Sequence, residues 1–381
     1  MSTGYGMHLA VTAGCAALAL FPPRRPPFLT RAANVLTPAV NEVPQLFGLV
    51  LVASTVLAVL EGDLRQGAGA PWLLAAGALA LAALAVLAVR GIRARAAVGR
   101  GLDAAGIADA GATGQLWRWA LRVAVAPVPL RPREVERISD IAYGPDRRQR
   151  LDVYRRRDRP QGGPVLLYLH GGGYFSGDKH REARALLHRL AARGWLCVSA
   201  TYRLRPAAGF EEHLEDAEAA LAWSHRHTAE YGADPSTLVM AGSSAGAHLT
   251  ALVALRPPSA VGADQAPRVK AAVGLYGYYG RYYGRGPDEA SPSTPMALDA
   301  RDAPPFYLVH GDLDVQVSVT GARGLAAKLR EESSSPVVLV ELPAGQHGFD
   351  LWQSWRTTAV LDGLERFLAD SRVLGKRAGA R

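Results

Sequence analysis

Cysteine is nearly absent from this chain: Cys15 and Cys197 are the only two in 381 residues, and they lie in separate apolar runs. Such a pair builds no disulfide framework, and a reducing compartment fits it. Zinc-finger spacing, an RNA-binding signature and basic heptads are also missing, although the formal net charge is +9 and nearly all the positive charge is arginine. Arginines spread through many segments without such a motif speak against a nucleic-acid partner. The ten histidines are scattered, so neither a metal site nor a cofactor is expected. Internal repeats and low-complexity tracts are lacking. No Lys or Arg precedes the first apolar run, residues 7–21, which sets it apart from a signal peptide with its basic leading segment.

Charge is absent as well from residues 43–60 (VPQLFGLVLVASTVLAVL) and 70–89 (APWLLAAGALALAALAVLAV). Roughly 18 to 20 apolar residues in a helix cross the hydrocarbon core of a bilayer. Residues 1–100 are therefore expected to form a membrane region with two or three transmembrane helices, the third being the run at 7–21. The competing reading is a buried helical hairpin of a soluble domain, although such helices usually keep a polar face. Arg24, Arg25 and Arg31 follow the first run, and Arg90, Arg93, Arg95 and Arg100 follow the last, whereas the intervening loop carries Glu61, Asp63 and only Arg65. The excess of arginine marks the cytoplasmic side. A multi-pass protein of the cell membrane with everything after residue 90 on the cytoplasmic side is the expectation. Residues 101–134 read as an amphipathic connector, with QLWRWALRVAVAPVPL either an interfacial helix or one packed on the following domain.

From about residue 135 the pattern changes. LDVYR (151–155) alternates, and PVLLYLH (164–170), WLCVSATY (195–202), TLVMAG (237–242), VKAAVGLYG (269–277), PFYLVHG (305–311) and PVVLVELP (336–343) are short continuous apolar runs. Runs of that kind suit strands buried on both faces of a parallel sheet. Helical stretches such as REARALLHRLAARG and EEHLEDAEAALAWSHRHTAEYG lie between them. The alternation predicts an α/β domain over 135–372, a mostly parallel sheet with helices on both faces. Reactive groups gather at the carboxyl ends of such strands.

Four motifs fall at those ends. Gly242-Ser243-Ser244-Ala245-Gly246 reads G-x-S-x-G, a strand-to-helix corner whose small residues leave the central hydroxyl of Ser244 at the tip. His170-Gly171-Gly172-Gly173 offers backbone amides that approach an anion closely. HGDLDVQV carries Asp312 and Asp314, and GQHGFD carries His347 just past the last strand. The chain order nucleophile, acid, histidine is that of the α/β-hydrolases.

HGGGYFSGDK, GSSAGAHL, HGDLDVQV and GQHGFD, with ARGWLCVSATYRLRP and YGADPSTLVMAGSSAG, resemble the esterase/lipase group of α/β-hydrolases related to hormone-sensitive lipase, over roughly residues 135–370. The nearer likeness is to actinobacterial membrane-associated esterases. The resemblance implies Ser244 as nucleophile, His347 as general base and Asp314 as the orienting acid, with Asp312 as its rival. Oxyanion donors would be the amides of Gly171, Gly172 and Ala245. The implied activity is hydrolysis of carboxylic esters, acyl or lipid esters near the membrane. Acyl transfer from the same acyl-enzyme and a membrane-anchored, non-catalytic binding module are the alternatives. Many relatives carry Asp where Ser243 stands and Gly where Ala247 stands, and the usual N-terminal cap is not recognisable. Tyr278 and Tyr279, in the loop YGYYGRYYGRG, are candidates for lining the substrate pocket. His248 is expected to pack at the start of the helix, and Cys197 to be a buried apolar residue.

Overall fold

The uncharged runs of the N-terminal third fold as helices. The structure, a computed structural model, describes residues 3–375 apart from 24, 26–29, 31–32, 34–35, 65–68, 109–126, 257–267, 287 and 290. Helices α1 (Thr3–Leu20), α2 (Pro38–Glu42), α3 (Pro44–Leu60) and α4 (Ala70–Ile92) occupy the described part of residues 3–92. The last three open with proline in the first turn, where its missing N–H costs nothing. Helices α1 and α3 pack on α4 through Ala16, Ala19, Leu51, Ala58, Ala80, Leu84 and Leu87, all buried. Their opposite faces expose Met7, Leu49, Leu60, Trp72 and Leu79, each more than half accessible.

Helix α4 runs on, past Arg93, into α5 (Ala94–Ala104). Among the described residues this continuous helix is the one long and apolar enough to cross a membrane, and α1 and α3 fall short by the same measure. Two or three membrane-crossing helices are thus not supported. The reason is length: the residues that flank the two shorter runs leave the helix early, at Phe21 and at Glu61. The interfacial helix expected around Trp117 and Trp119 lies outside the described residues.

Strands β1 (Val135–Ala142), β2 (Arg150–Arg156), β3 (Gly163–Leu169), β4 (Leu196–Ala200), β5 (Ala233–Ser243), β6 (Ala271–Leu275), β7 (Phe306–Gly311) and β8 (Val337–Leu342) form one eight-stranded sheet. Their order is β1-β2-β4-β3-β5-β6-β7-β8. Pairing is antiparallel at β1–β2 and β2–β4 and parallel from β4 through β8. Six of these strands, β3 to β8, coincide with the continuous apolar runs and β2 with the alternating LDVYR; β1 matches neither, because a largely exposed edge strand needs no apolar run.

Helices α6 (Arg184–Ala192), α7 (Phe210–His227), α8 (Ala245–Leu255), α9 (Val319–Glu332) and α10 (Trp355–Ala369) cover the sheet. The apolar layers lie on both faces, one holding Leu167, Val198, Leu214 and Leu249, the other Leu166, Val239, Val340 and Leu364. Helix α5 belongs to the second layer. Its Ala94, Ala97, Val98 and Leu102 are buried against β8 and α10, so this stretch is a helix of the hydrolase sheet as much as the end of the N-terminal region.

Because β3, β5, β7 and β8 are parallel, their carboxyl ends share one edge of the sheet. His170 follows β3, Ser244 follows β5, Asp312 and Asp314 follow β7, and His347 follows β8.

Candidate active site

Strand β5 stops at Ser243 and helix α8 starts at Ala245, so the whole reversal falls on Ser244. Its backbone takes φ 51° and ψ −114°, a left-handed conformation that a residue with a Cβ adopts only when its surroundings impose it. Ser244 N–H donates to Leu275 O at 2.9 Å, which ties the corner to the end of β6. The small neighbours are required by crowding: a Cβ on Gly246 would stand 2.1 Å from Leu169 O. The corner thus packs directly on the end of β3. Ser243 is buried and accepts a hydrogen bond from the Tyr168 hydroxyl at 2.9 Å.

The glycine loop lies against this corner. A Cβ on Gly171 would come within 2.9 Å of both Ser244 Cβ and Glu182 Oε2. Gly171 N–H donates to that carboxylate at 2.6 Å, so its amide is already engaged and the expected role as an oxyanion donor is corrected. The Ala245 amide stands at the first position of α8, next to Ser244, where no intrahelical acceptor exists. Tyr174 holds the two sides together, its hydroxyl 2.6 Å from His248 Nδ1 and donating to Ala245 O at 3.3 Å. His248 packs at the start of the helix, as expected.

Asp314 Oδ2 accepts a hydrogen bond from His347 Nδ1 at 2.7 Å. Since an ionised carboxylate only accepts, Nδ1 carries the proton and Nε2 is left as a base. Burial opposes the Asp314 charge, but hydrogen bonds from His310, His347 and the Val317 amide outweigh it and hold the carboxyl well below the usual carboxylate range. Asp312 is elsewhere engaged, accepting from Ala344 N–H at 2.7 Å. Ser244 Oγ makes no hydrogen bond among the described residues. Both it and His347 adjoin the same strand end, since Leu275 anchors Ser244 and the Tyr276 ring meets the His347 ring edge-on at 4.6 Å.

Beneath the imidazole the Tyr276 hydroxyl donates to Asp350 Oδ1 at 2.6 Å, and Asp350 Oδ2 accepts from Ala183 N–H at 2.8 Å. Burial, with the neighbouring Glu182 charge, pushes the Asp350 carboxyl up to about 6. Glu182, Tyr276 and Asp350 were not legible as site residues. Glu182 sits in a run that reads as helix, yet α6 begins only at Arg184, after Ala183 at φ 53°.

The two tyrosine candidates separate. Tyr278 lies partly exposed beside the corner, its N–H 3.4 Å from Ser244 O and its ring stacked on Tyr283 at 5.6 Å. Tyr279 points the other way, 2% exposed, among Ala251, Leu308 and Ala322. It is a core residue.

Residues 151–279 match the BD-FAE family model. Over 296 residues the chain is 37% identical to "Probable carboxylic ester hydrolase LipM" of Mycobacterium tuberculosis, covering 68% of each chain. The chain belongs to the esterase group of α/β-hydrolases related to hormone-sensitive lipase. Esterase LipC of the same organism is 34% identical over 267 residues, 63% of this chain and 66% of the relative. This esterase thus matches about two thirds of each relative's length. The apo form of Thermogutta terrifontis esterase 2 superposes with a TM-score of 0.55 at 22% identity, over 65% of this chain and 99% of that one. That likeness concerns the fold alone. It is a mostly parallel α/β-hydrolase sheet, and this esterase is a hydrolase of the carboxylesterase/lipase type.

Proposed function

We propose that this esterase cleaves carboxylic esters through an acyl-enzyme on Ser244. The observation that carries the proposal is the 2.7 Å pairing of Asp314 with His347 at the sheet edge that also carries the strained Ser244 corner. In the proposed reaction His347 Nε2 takes the Ser244 proton as Oγ attacks the ester carbonyl. Catalytic hydrogen bonds of this kind often close only when substrate is bound. Asp314, held anionic by its donors, stabilises the imidazolium. The amides of Gly172, Gly173 and Ala245 receive the oxyanion, each donor worth about 3 kcal/mol. The imidazolium then protonates the departing alkoxide, and water, activated by the same histidine, frees the acid.

The exposed apolar faces of α1, α3 and α4 favour esters presented at a bilayer. In this reading the outer faces of α1, α3 and α4 contact lipid, and Trp72 sits at an interface. The arginines from Arg90 to Arg100 keep the sheet on the cytoplasmic side. The test is hydrolysis of short and long acyl esters by the full chain in vesicles, with labelling by a serine-reactive phosphonate. Ser244→Ala is expected to remove both turnover and labelling while the protein stays folded and vesicle-bound. Turnover at the wild-type rate in that variant would overturn the assignment.

A further inference from the structure

The loop that carries His347 is held by the N-terminal region. It runs from Pro343 to Gly348 after β8; α2, with the residue before it, reaches two of its positions directly and a third, Pro343, through Arg356 of α10. The Thr37 hydroxyl, which donates to Ala33 O at 2.8 Å, lies 2.7 Å from the side-chain amide of Gln346, the residue next to His347. Asn41 Nδ2 donates to Ala344 O at 3.1 Å. Glu42 Oε1 pairs with Arg356 Nη1 at 3.0 Å, both side chains 1% exposed, and Arg356 in turn donates from Nε and Nη2 to Pro343 O at 3.2 and 3.1 Å. Arg356 Nη1 also donates to Asn41 O, and the Ser354 hydroxyl to Glu42 Oε2 at 2.6 Å. Thr37, Asn41, Glu42, Gln346 and Arg356 are all buried.

We infer that α2 is a positioning element for His347, so that the N-terminal helices hold the catalytic base in register as well as attaching the enzyme to a membrane. The inference rests on the proposed role of His347 as base. Three features support a positioning role over mere docking. Thr37 and Asn41 bond the loop that bears His347 directly, and Glu42 holds Arg356, whose guanidinium bonds the start of that loop at Pro343. Most of them are made to backbone carbonyls or to a short amide, which fixes the path of the chain. The fully buried ion pair with Arg356 also gives the contact a single geometry, because either charge left alone there is strongly unfavourable. A base must meet its proton donor within a few tenths of an ångström, so loosening this loop is read in turnover before it is read in binding.

The experiment compares wild type, Thr37→Val, Asn41→Ala and Thr37→Ser as the full chain in detergent or vesicles, with kcat and KM on one soluble ester. Hydrogen exchange of the 343–348 segment is followed by mass spectrometry. Thr37→Val and Asn41→Ala are each expected to lower kcat about 5- to 20-fold with KM within twofold, and to speed exchange of 343–348 about tenfold while β3 and β5 keep their protection. Thr37→Ser is expected to stay within twofold of wild type. Wild-type kcat in both impaired variants overturns the inference, whatever the exchange does. So does a loss of kcat with faster exchange throughout the sheet, which marks general destabilisation. Failure of the esterase reading appears separately, as turnover that survives Ser244→Ala, and the exchange arm still reads whether α2 clamps the loop.

Discussion

In the sheet, Leu166 and Leu167 of β3 are both 0% exposed, although they point to opposite faces; in α4, Leu79 is 73% exposed and its neighbour Ala80 only 3%. The sheet spends its large apolar side chains inside, covered by helices on both faces. The helical bundle keeps small residues inside and turns large ones outward, the arrangement suited to helices that contact lipid instead of water. The difference explains how one chain keeps two kinds of surface, and why the residues of α5, buried on the sheet, mark where one regime passes into the other.

The comparison is broken most sharply at the nucleophile. Ser244→Ala is expected to lower kcat by about 10⁶-fold, with residual activity from the oxyanion site alone, while vesicle binding stays at the wild-type level. Asp314→Asn, which lets His347 take the wrong tautomer, is expected to cost about 10⁴-fold in kcat with little change in KM; equal activity would return Asp312 to consideration. Next in size, Leu167→Ala is expected to destabilise the protein by about 2 to 5 kcal/mol in denaturant unfolding. A loss below 1 kcal/mol would deny that β3 is central to the core.

Asp350 tests the buried carboxylate beneath His347. Its carboxyl titrates near 6 in the folded chain, above the ordinary value of about 4. The folded state therefore holds the proton more tightly, and wild type loses stability as pH rises from about 4 to 6. Asp350→Asn removes that titration, so its stability relative to wild type is expected to rise across the same window by on the order of 2 to 3 kcal/mol. A difference that stays flat from pH 4 to 7 would contradict it. Asp314, whose carboxyl is depressed, acts with the opposite sign, contributing above the ordinary carboxylate range and failing as pH falls. The smallest effect belongs to the outer face of the bundle. Leu79→Ala is expected to change unfolding in detergent by less than about 0.5 kcal/mol, the contrast with Leu167 being the measurement.

Much of the α/β part was written in local pattern. Continuous apolar runs announced six of the eight strands and alternation a seventh, and the G-x-S-x-G and H-G-G-G stretches declared themselves because close backbone approach leaves a glycine signature. Asp314 was separable from Asp312 only through family likeness, since the choice depends on how the loop after β7 folds back. Contacts distant along the chain left no such trace. Gly171 meeting Glu182, Tyr276 meeting Asp350, and Thr37 meeting Gln346 across 309 residues are products of tertiary packing. The loop composition misjudged Tyr279 for the same reason: past the end of β6, neither period nor composition says which side of the sheet a side chain takes. The bundle was legible as apolar, but the number of crossings was not, because helix ends depend on where the flanking loops turn.

Helix α5 bears on how a soluble catalytic fragment should be cut. Severing the chain after Ala104 would strip Ala94, Ala97, Val98 and Leu102 from the layer they share with Val338, Val340 and Leu361. The trough left along β8 would be a greasy, unprotected margin prone to self-association. A cut before Ala94 keeps that cover yet discards the α2 clamp, so a fragment that stays in solution and one that works at full speed require different boundaries.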